Sequence, residues 1–197
     1  SFISFLDILN ESLSFTFIYR STNELFKTVT NGTIDLNEVN LTLSIQNFIG
    51  EHADKHPLFG VPIGIKDIIY TKDQLTTFGS KIYSGFKPKY DASVVSLLKQ
   101  AGGVIMGKTV TTEFAYMDPP PTLNPWDSEC TPGGSSSGAG VSLWEGSALI
   151  AFGTDTGGSV RVPASMTGNV GLKTTKGRWS TDLITILSTS FDTRMRR

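Results

Sequence analysis

The chain is poor in the side chains that most often organise catalytic and metal centres. Its 197 residues contain one cysteine, Cys130, and two histidines, His52 and His56. A single cysteine excludes an internal disulfide and a cysteine-only metal site, and it fits a reducing compartment, which favours a cytoplasmic location. So few histidines argue against a zinc site and leave a histidine-based Ser-His-Asp triad poorly supplied. An excess of either charge is also missing: 17 Lys and Arg face 18 Asp and Glu, a net charge of −1. No basic stretch occurs before Arg194-Met195-Arg196-Arg197, so binding to nucleic-acid phosphates is not predicted. No apolar run reaches the roughly 18 residues of a membrane helix. The apolar start, Ser1 to Arg20, is interrupted by Asp7, Asn10 and Glu11 and lacks the basic opening of a secretory signal. Three Asn-x-Ser/Thr sequons, at Asn10, Asn31 and Asn40, fall in an Asn/Thr-rich stretch where chance explains them. There is no internal repeat.

What is present is glycine, 20 residues of it, and a hydrophobic fraction of 39%. That is enough for one packed domain. The glycines gather around serine-rich motifs, which points to tight turns rather than low complexity. Residues 1–57 form a polar, poorly patterned N-terminal segment. Leu25, Phe26 and Val29 have helical spacing there, and Leu41 to Ile45 alternates like a short strand. Residues 58–197 are better punctuated. Val61 to Ile65 and Ile68 to Tyr70 read as short buried strands, and Thr76 to Lys89 as a loop. Asp91 is placed to cap a helix over 92–101, with Val94, Val95, Leu97 and Leu98 on its apolar face and Gly102 or Gly103 at its end. Val104 to Met106 reads as a strand, and Thr111 or Thr112 as the cap of a short helix holding Glu113 and Phe114. Pro119-Pro120-Pro121 cannot continue a helix. Ser137 to Trp144 reads as a helix and Ala148 to Phe152 as a strand. Strands alternating with helices predict an α/β architecture, a mixed sheet flanked by helices.

Three motifs carry chemistry. Ser159 lies in Gly153-Thr154-Asp155-Thr156-Gly157-Gly158-Ser159-Val160-Arg161-Val162-Pro163. Two glycines before a serine let the backbone approach a ligand closely. The consecutive amides of Thr156, Gly157, Gly158 and Ser159 can then share one concavity, a nest for an anion such as a tetrahedral oxyanion. A plain structural turn has the same composition. Gly133-Gly134-Ser135-Ser136-Ser137-Gly138 lies 24 positions upstream, serine to serine. Alone it reads as a flexible linker, but its place between a Trp-containing loop and a helix–strand pair argues otherwise. Lys66 sits among Val61, Ile63, Ile65, Ile68 and Ile69. Burial there disfavours its charged form and makes the amine a proton acceptor; a lysine that keeps its head in water is the alternative. Two serines and a lysine point to acyl transfer of the Ser-Lys type.

Together these segments resemble the amidase signature family. The resemblance runs from about Leu58 to Asp192. It takes in Gly60 to Asp67, Asp91-Ala92-Ser93-Val94-Val95, Gly107-Lys108-Thr109, Thr112-Glu113-Phe114-Ala115, Asn124-Pro125-Trp126, Thr131 to Gly138, Gly153 to Ala164 and Gly171-Leu172-Lys173. It implies hydrolysis of a carbon–nitrogen amide bond in a small-molecule substrate, without metal or organic cofactor. It implies Ser159 as nucleophile, Ser135 as a bridging serine preceded by a cis peptide, and Lys66 as general base. Asp155 and Arg161 are expected to hold the loop, Ser136 to support the proton network, and Ser137 to support it or cap the helix.

The sequence also departs from the family. Residues before Pro57 do not match, and Thr174 stands where a proline often follows Gly-Leu-Lys. Family members usually run to more than twice this length, so the core is expected to be truncated, either as a fragment of a longer amidase or as a shortened form of one, without the later part that completes the sheet and much of the pocket. Apolar surface left uncovered would favour self-association, a homodimer included. Three alternatives stay open. One is the glutaminase subunit of a tRNA-dependent amidotransferase, which needs partner subunits. Another is a lipid-amide hydrolase. The third is an inactive fragment that serves as a binding or structural module. Thr112-Glu113-Phe114-Ala115 and the proline run after it look more like a stand-alone amidase.

Overall fold

A computed structural model of the chain describes residues 55–192. The helical and strand patterns at Leu25–Val29 and Leu41–Ile45, the three sequons, His52 and the final basic residues lie outside that range. At the centre of the fold is β1, Pro62–Lys66, with all five residues buried. β2, Val104–Thr109, and β3, Ile150–Phe152, flank it, both parallel to it, in the order β2-β1-β3. Ile65 pairs with Lys108 on one side and with Phe152 on the other. A central parallel strand must be apolar on both faces. Ile63 and Ile65, fully buried, meet that demand.

α1, Ser93–Gln100, connects β1 to β2 and buries Val94, Val95 and Leu98. Each such side chain contributes about 1.5–3 kcal/mol when removed from water. The helix begins later than its sequence suggests. Ala92, not Asp91, is the N-cap, and it makes no side-chain capping bond. The Asp91 carboxylate is already engaged by the Lys72 amide and the Lys99 ammonium, each at 2.7 Å. The helix ends as foreseen: the Gly102 amide donates to the Lys99 carbonyl and the Gly103 amide to the Leu98 carbonyl.

α2, Ser137–Trp144, has the limits its sequence predicts, and it packs against all three strands and against α3, Arg161–Thr167. Gly138 permits this approach: a Cβ there would lie 2.2 Å from the Val110 nitrogen. No pattern in the sequence announces α3. Seven residues are too few for a helical period to stand out, and Pro163 obscures it further. Proline is tolerated there because first-turn amides need no intrahelical acceptor.

Ile68 to Tyr70 is not a strand. The Ile69 amide turns back onto the Lys66 carbonyl at 3.0 Å, and Ile69 makes one antiparallel bridge to Ile184. Both isoleucines are buried, so their apolar run signals burial and not extension. β2 runs three residues past Met106, because Lys66 at the end of β1 pairs with Thr109. β3 starts two residues after Ala148, whose amide bonds the Ser142 carbonyl instead. The loop over 76–89 carries a 3-10 turn, Lys81–Tyr83, and an aromatic cluster centred on Phe78, which meets the rings of Tyr70, Tyr83, Phe86 and Phe114. Among the described residues, no helix is long and apolar enough to cross a membrane.

Candidate active site

The parallel strands deliver their C-terminal ends to one region. β1 ends on Lys66, which has no exposed surface. Phe152 lies opposite Ile65, so the residues after β3 emerge beside the Lys66 side chain. Lys66 Nζ donates to Ser135 Oγ at 2.6 Å and to Thr154 Oγ1 at 2.8 Å. Burial depresses the amine from its ordinary 10.5 to about 7, although the Asp155 and Asp192 carboxylates pull it upward. A substantial fraction of this lysine is therefore uncharged at neutral pH, with a lone pair available.

Ser135 is 3% exposed, and the Gly134–Ser135 peptide is cis. Its carbonyl accepts from the Thr112 amide at 3.1 Å, and the Ser136 amide donates to the Ser159 carbonyl, also at 3.1 Å. The Ser136 hydroxyl donates to the Thr154 carbonyl at 3.3 Å. Ser137 is the first helical residue and not a cap; its hydroxyl donates to the Val110 carbonyl at 3.4 Å. The Ser136 amide thus ties the two serine segments together, and its hydroxyl ties them to the residues after β3.

Ser159 is half-buried. Among the described residues its hydroxyl makes no hydrogen bond, so only the Lys66–Ser135 half of the expected relay is formed. Asp155 organises the turn around it. Its Oδ1 accepts from the Gly158 amide at 2.9 Å, and its Oδ2 from the Val160 and Arg161 amides at 3.1 and 3.3 Å. The Arg161 guanidinium adds two bonds of 3.0 Å. Burial pushes the Asp155 carboxyl up, but the Arg161 side chain and these amides outweigh it and hold the group below its usual 3.8.

Gly158 has φ +137°, a conformation that favours glycine. Its amide is committed to Asp155. That narrows the four-amide concavity: among the described residues, the amides of Thr156, Gly157 and Ser159 have no acceptor. The Thr156 hydroxyl donates to the Asp192 carboxylate, whose other oxygen accepts from the Leu187 and Ser188 amides at 2.8 and 2.9 Å. A cavity of about 450 Å³ runs along Thr154–Thr156. Ile68, Ile69, Leu149, Phe152, Leu172 and Trp179 give it apolar walls, and Lys66, Ser135 and Ser159 do not line it.

Sequence reasoning singled out neither Thr154 nor Asp192. Thr154 belongs to the glycine-serine motif, but only the β1–β3 register brings it to the amine. Asp192 lies 36 residues after Thr156, and no local pattern links them.

The sheet, the helices packed on it and the three motifs gathered near Lys66 define a class. The Amidase family profile matches residues 39–194, and the chain belongs to that family. It is 48% identical over 139 residues to the putative amidase AmiD of Mycobacterium tuberculosis, covering 68% of this chain and 29% of that one. The crystal structure of a glutamyl-tRNA(Gln) amidotransferase subunit from Thermotoga maritima is similar, with TM-score 0.66 and 42% identity over 68% of this chain and 31% of that one. Native peptide amidase from Stenotrophomonas maltophilia is similar too, with TM-score 0.67 and 39% identity over 70% and 30%. The chain therefore spans about three tenths of the length of such relatives.

Proposed function

We propose that this chain carries the catalytic core of an amidase, a hydrolase of carbon–nitrogen amide bonds in small molecules. The observation that carries the reading is the buried Lys66 amine, depressed to about 7 and 2.6 Å from the Ser135 hydroxyl. A charged lysine could not accept a proton; the neutral fraction of this one can. Ser159 is the nucleophile. As its oxygen attacks the amide carbon, its proton passes to Ser135 Oγ, and the Ser135 proton passes to Lys66 Nζ. The Ser159 hydroxyl must rotate toward Ser135 for this, and such contacts commonly tighten only with substrate bound. The amides of Thr156, Gly157 and Ser159 hold the oxyanion, and Gly158 joins them only by releasing Asp155. Collapse of the tetrahedral species breaks the C–N bond, and the proton returns through Ser135 to the leaving nitrogen. Water, deprotonated along the same route, then releases the acid from Ser159. Asp155 and Arg161 keep the turn in shape.

The similarity to a glutamyl-tRNA(Gln) amidotransferase component supports a second reading, a glutaminase that works with partner subunits. Ammonia release from glutamine only when partners are added would favour it. A serine-directed fluorophosphonate tests the common chemistry. Labelling of the wild-type chain that is lost in Ser159→Ala is the expected result. A well-folded wild type that does not label refutes the reading and favours a binding or structural module.

A further inference from the structure

A second lysine, partly buried, lies next to the site. Lys108 on β2 stands opposite Ile65 in the ladder. Its ammonium donates to the Ile69 carbonyl and to the Thr76 hydroxyl, each at 2.7 Å, and lies 3.3 Å from Asp67 Oδ1. Asp67 is the residue after Lys66. Its Oδ2 accepts from the Thr77 amide at 3.0 Å and from the Thr77 hydroxyl. Its own amide donates to the Thr109 carbonyl, and its carbonyl accepts from the Phe78 amide, both at 3.0 Å. Asp67 Oδ1 has no hydrogen-bond donor among the described residues, so its compensation is the nearby Lys108 charge. The two side chains are 12% and 11% exposed.

Ion pairs withdrawn from water are weak sources of stability compared with apolar packing, so the place of this one matters more than its energy. Successive residues send their side chains to different partners: Lys66 to Ser135 and Thr154, Asp67 to Lys108 and Thr77. The second set anchors the peptide that carries the first.

We propose that Asp67 and Lys108 are positioning residues that clamp the end of β1, so that the Lys66 amine keeps its place against Ser135 and Thr154. The inference rests on the reading of Lys66 as the base. A lysine reaches its target through four rotatable bonds, so an error at its Cα is carried to Nζ. Misplacing a reacting group by about 1 Å can cost about 100-fold in rate. The charges that act on Lys66 are Asp155 and Asp192; Lys108 answers to Asp67.

Lys108→Met and Asp67→Asn test the clamp. Carbon-13 NMR of labelled lysine follows the Lys66 titration without any turnover, with the signal assigned by its loss in Lys66→Met. If the pair positions the amine, both variants admit water around it, and its midpoint rises in both. Simple electrostatics would move the midpoints in opposite directions, up on loss of the Lys108 cation and down on loss of the Asp67 anion. The rate constant for fluorophosphonate labelling should fall at least tenfold in both variants, with labelling still reaching completion, and Lys108→Arg should recover much of it. Unchanged midpoints, opposed shifts, or a smaller labelled fraction at an unchanged rate constant overturn the proposal. If either variant fails to fold, Thr76→Val removes one acceptor of the Lys108 ammonium and should raise the midpoint by less; no rise there also overturns it. A wild type that never labels, yet whose Lys66 midpoint moves as described, would leave the clamp standing and refute the catalytic reading.

Discussion

Replacing Lys66 by methionine should abolish one component of the protein's pH-dependent stability. In the unfolded chain the amine titrates near 10.5, and in the fold near 7. Between those values the unfolded state binds a proton that the folded state does not, so stability rises with pH by about 1.4 kcal/mol per unit. Stability is greatest above the unfolded value and falls as pH drops toward the folded one, for a total of about 5 kcal/mol. Methionine has no proton to lose. Between about pH 9 and about pH 7 the wild type should therefore lose about 2 kcal/mol that Lys66→Met keeps. At any single pH the comparison also contains the lost bonds to Ser135 and Thr154, each worth about 1 kcal/mol. The difference in slope isolates the amine, because the other titrating groups are common to both proteins. Urea unfolding across that pH range supplies it. Parallel stability curves would mean that Lys66 titrates normally and stays charged at neutral pH, and the proton relay would fail with it.

Thr154→Val removes one acceptor of the Lys66 amine with little change of shape. It should slow fluorophosphonate labelling about tenfold or more and lower the stability by about 1 kcal/mol, the worth of the lost bond; an unaltered labelling rate would remove Thr154 from the site. Asp155→Asn has one carbonyl oxygen where the carboxylate serves five donors, and each donor left unpaired costs about 1–3 kcal/mol. Because the Asp155 carboxyl is held below 3.8, the wild-type advantage should be present above that pH and shrink as pH falls below it; a constant difference on acid titration would contradict the assignment. Gly138→Ala places a methyl 2.2 Å from the Val110 nitrogen and should destabilise the fold by about 1–3 kcal/mol or more, read by thermal unfolding, whereas an unchanged transition would mean that α2 does not rest on Val110.

How far the sequence could be read depended on how local each signal was. α2 was legible to the residue, because a glycine-serine turn precedes a run of small and apolar side chains. α1 was legible in extent but not in its cap: Asp91 has the right chemistry, yet Lys72 and Lys99 compete for its carboxylate. The isoleucines at 68 and 69 misled because an apolar pair reports burial whatever the backbone does. Lys66, Ser135 and Ser159 could be named because each sits in a dense motif, and their likeness to a family supplied the connection between them. Thr154 and Asp192 could not be ranked, since their importance comes from strand register and from a contact that spans many residues. The commitment of the Gly158 amide to Asp155 was equally hidden, because composition does not say which acceptor a turn's donors will choose.

Neither serine segment is held in place by the Ser135 or Ser159 hydroxyl: the turn before Ser159 is anchored by the Asp155 carboxylate, and both segments by main-chain bonds. The Ser135 carbonyl is fixed by Thr112, and the Ser159 carbonyl by Ser136. Shape and reactivity are therefore separable in this protein. Loss of either hydroxyl would leave those anchors intact, and with them the contour of the turn and of the recess beside it.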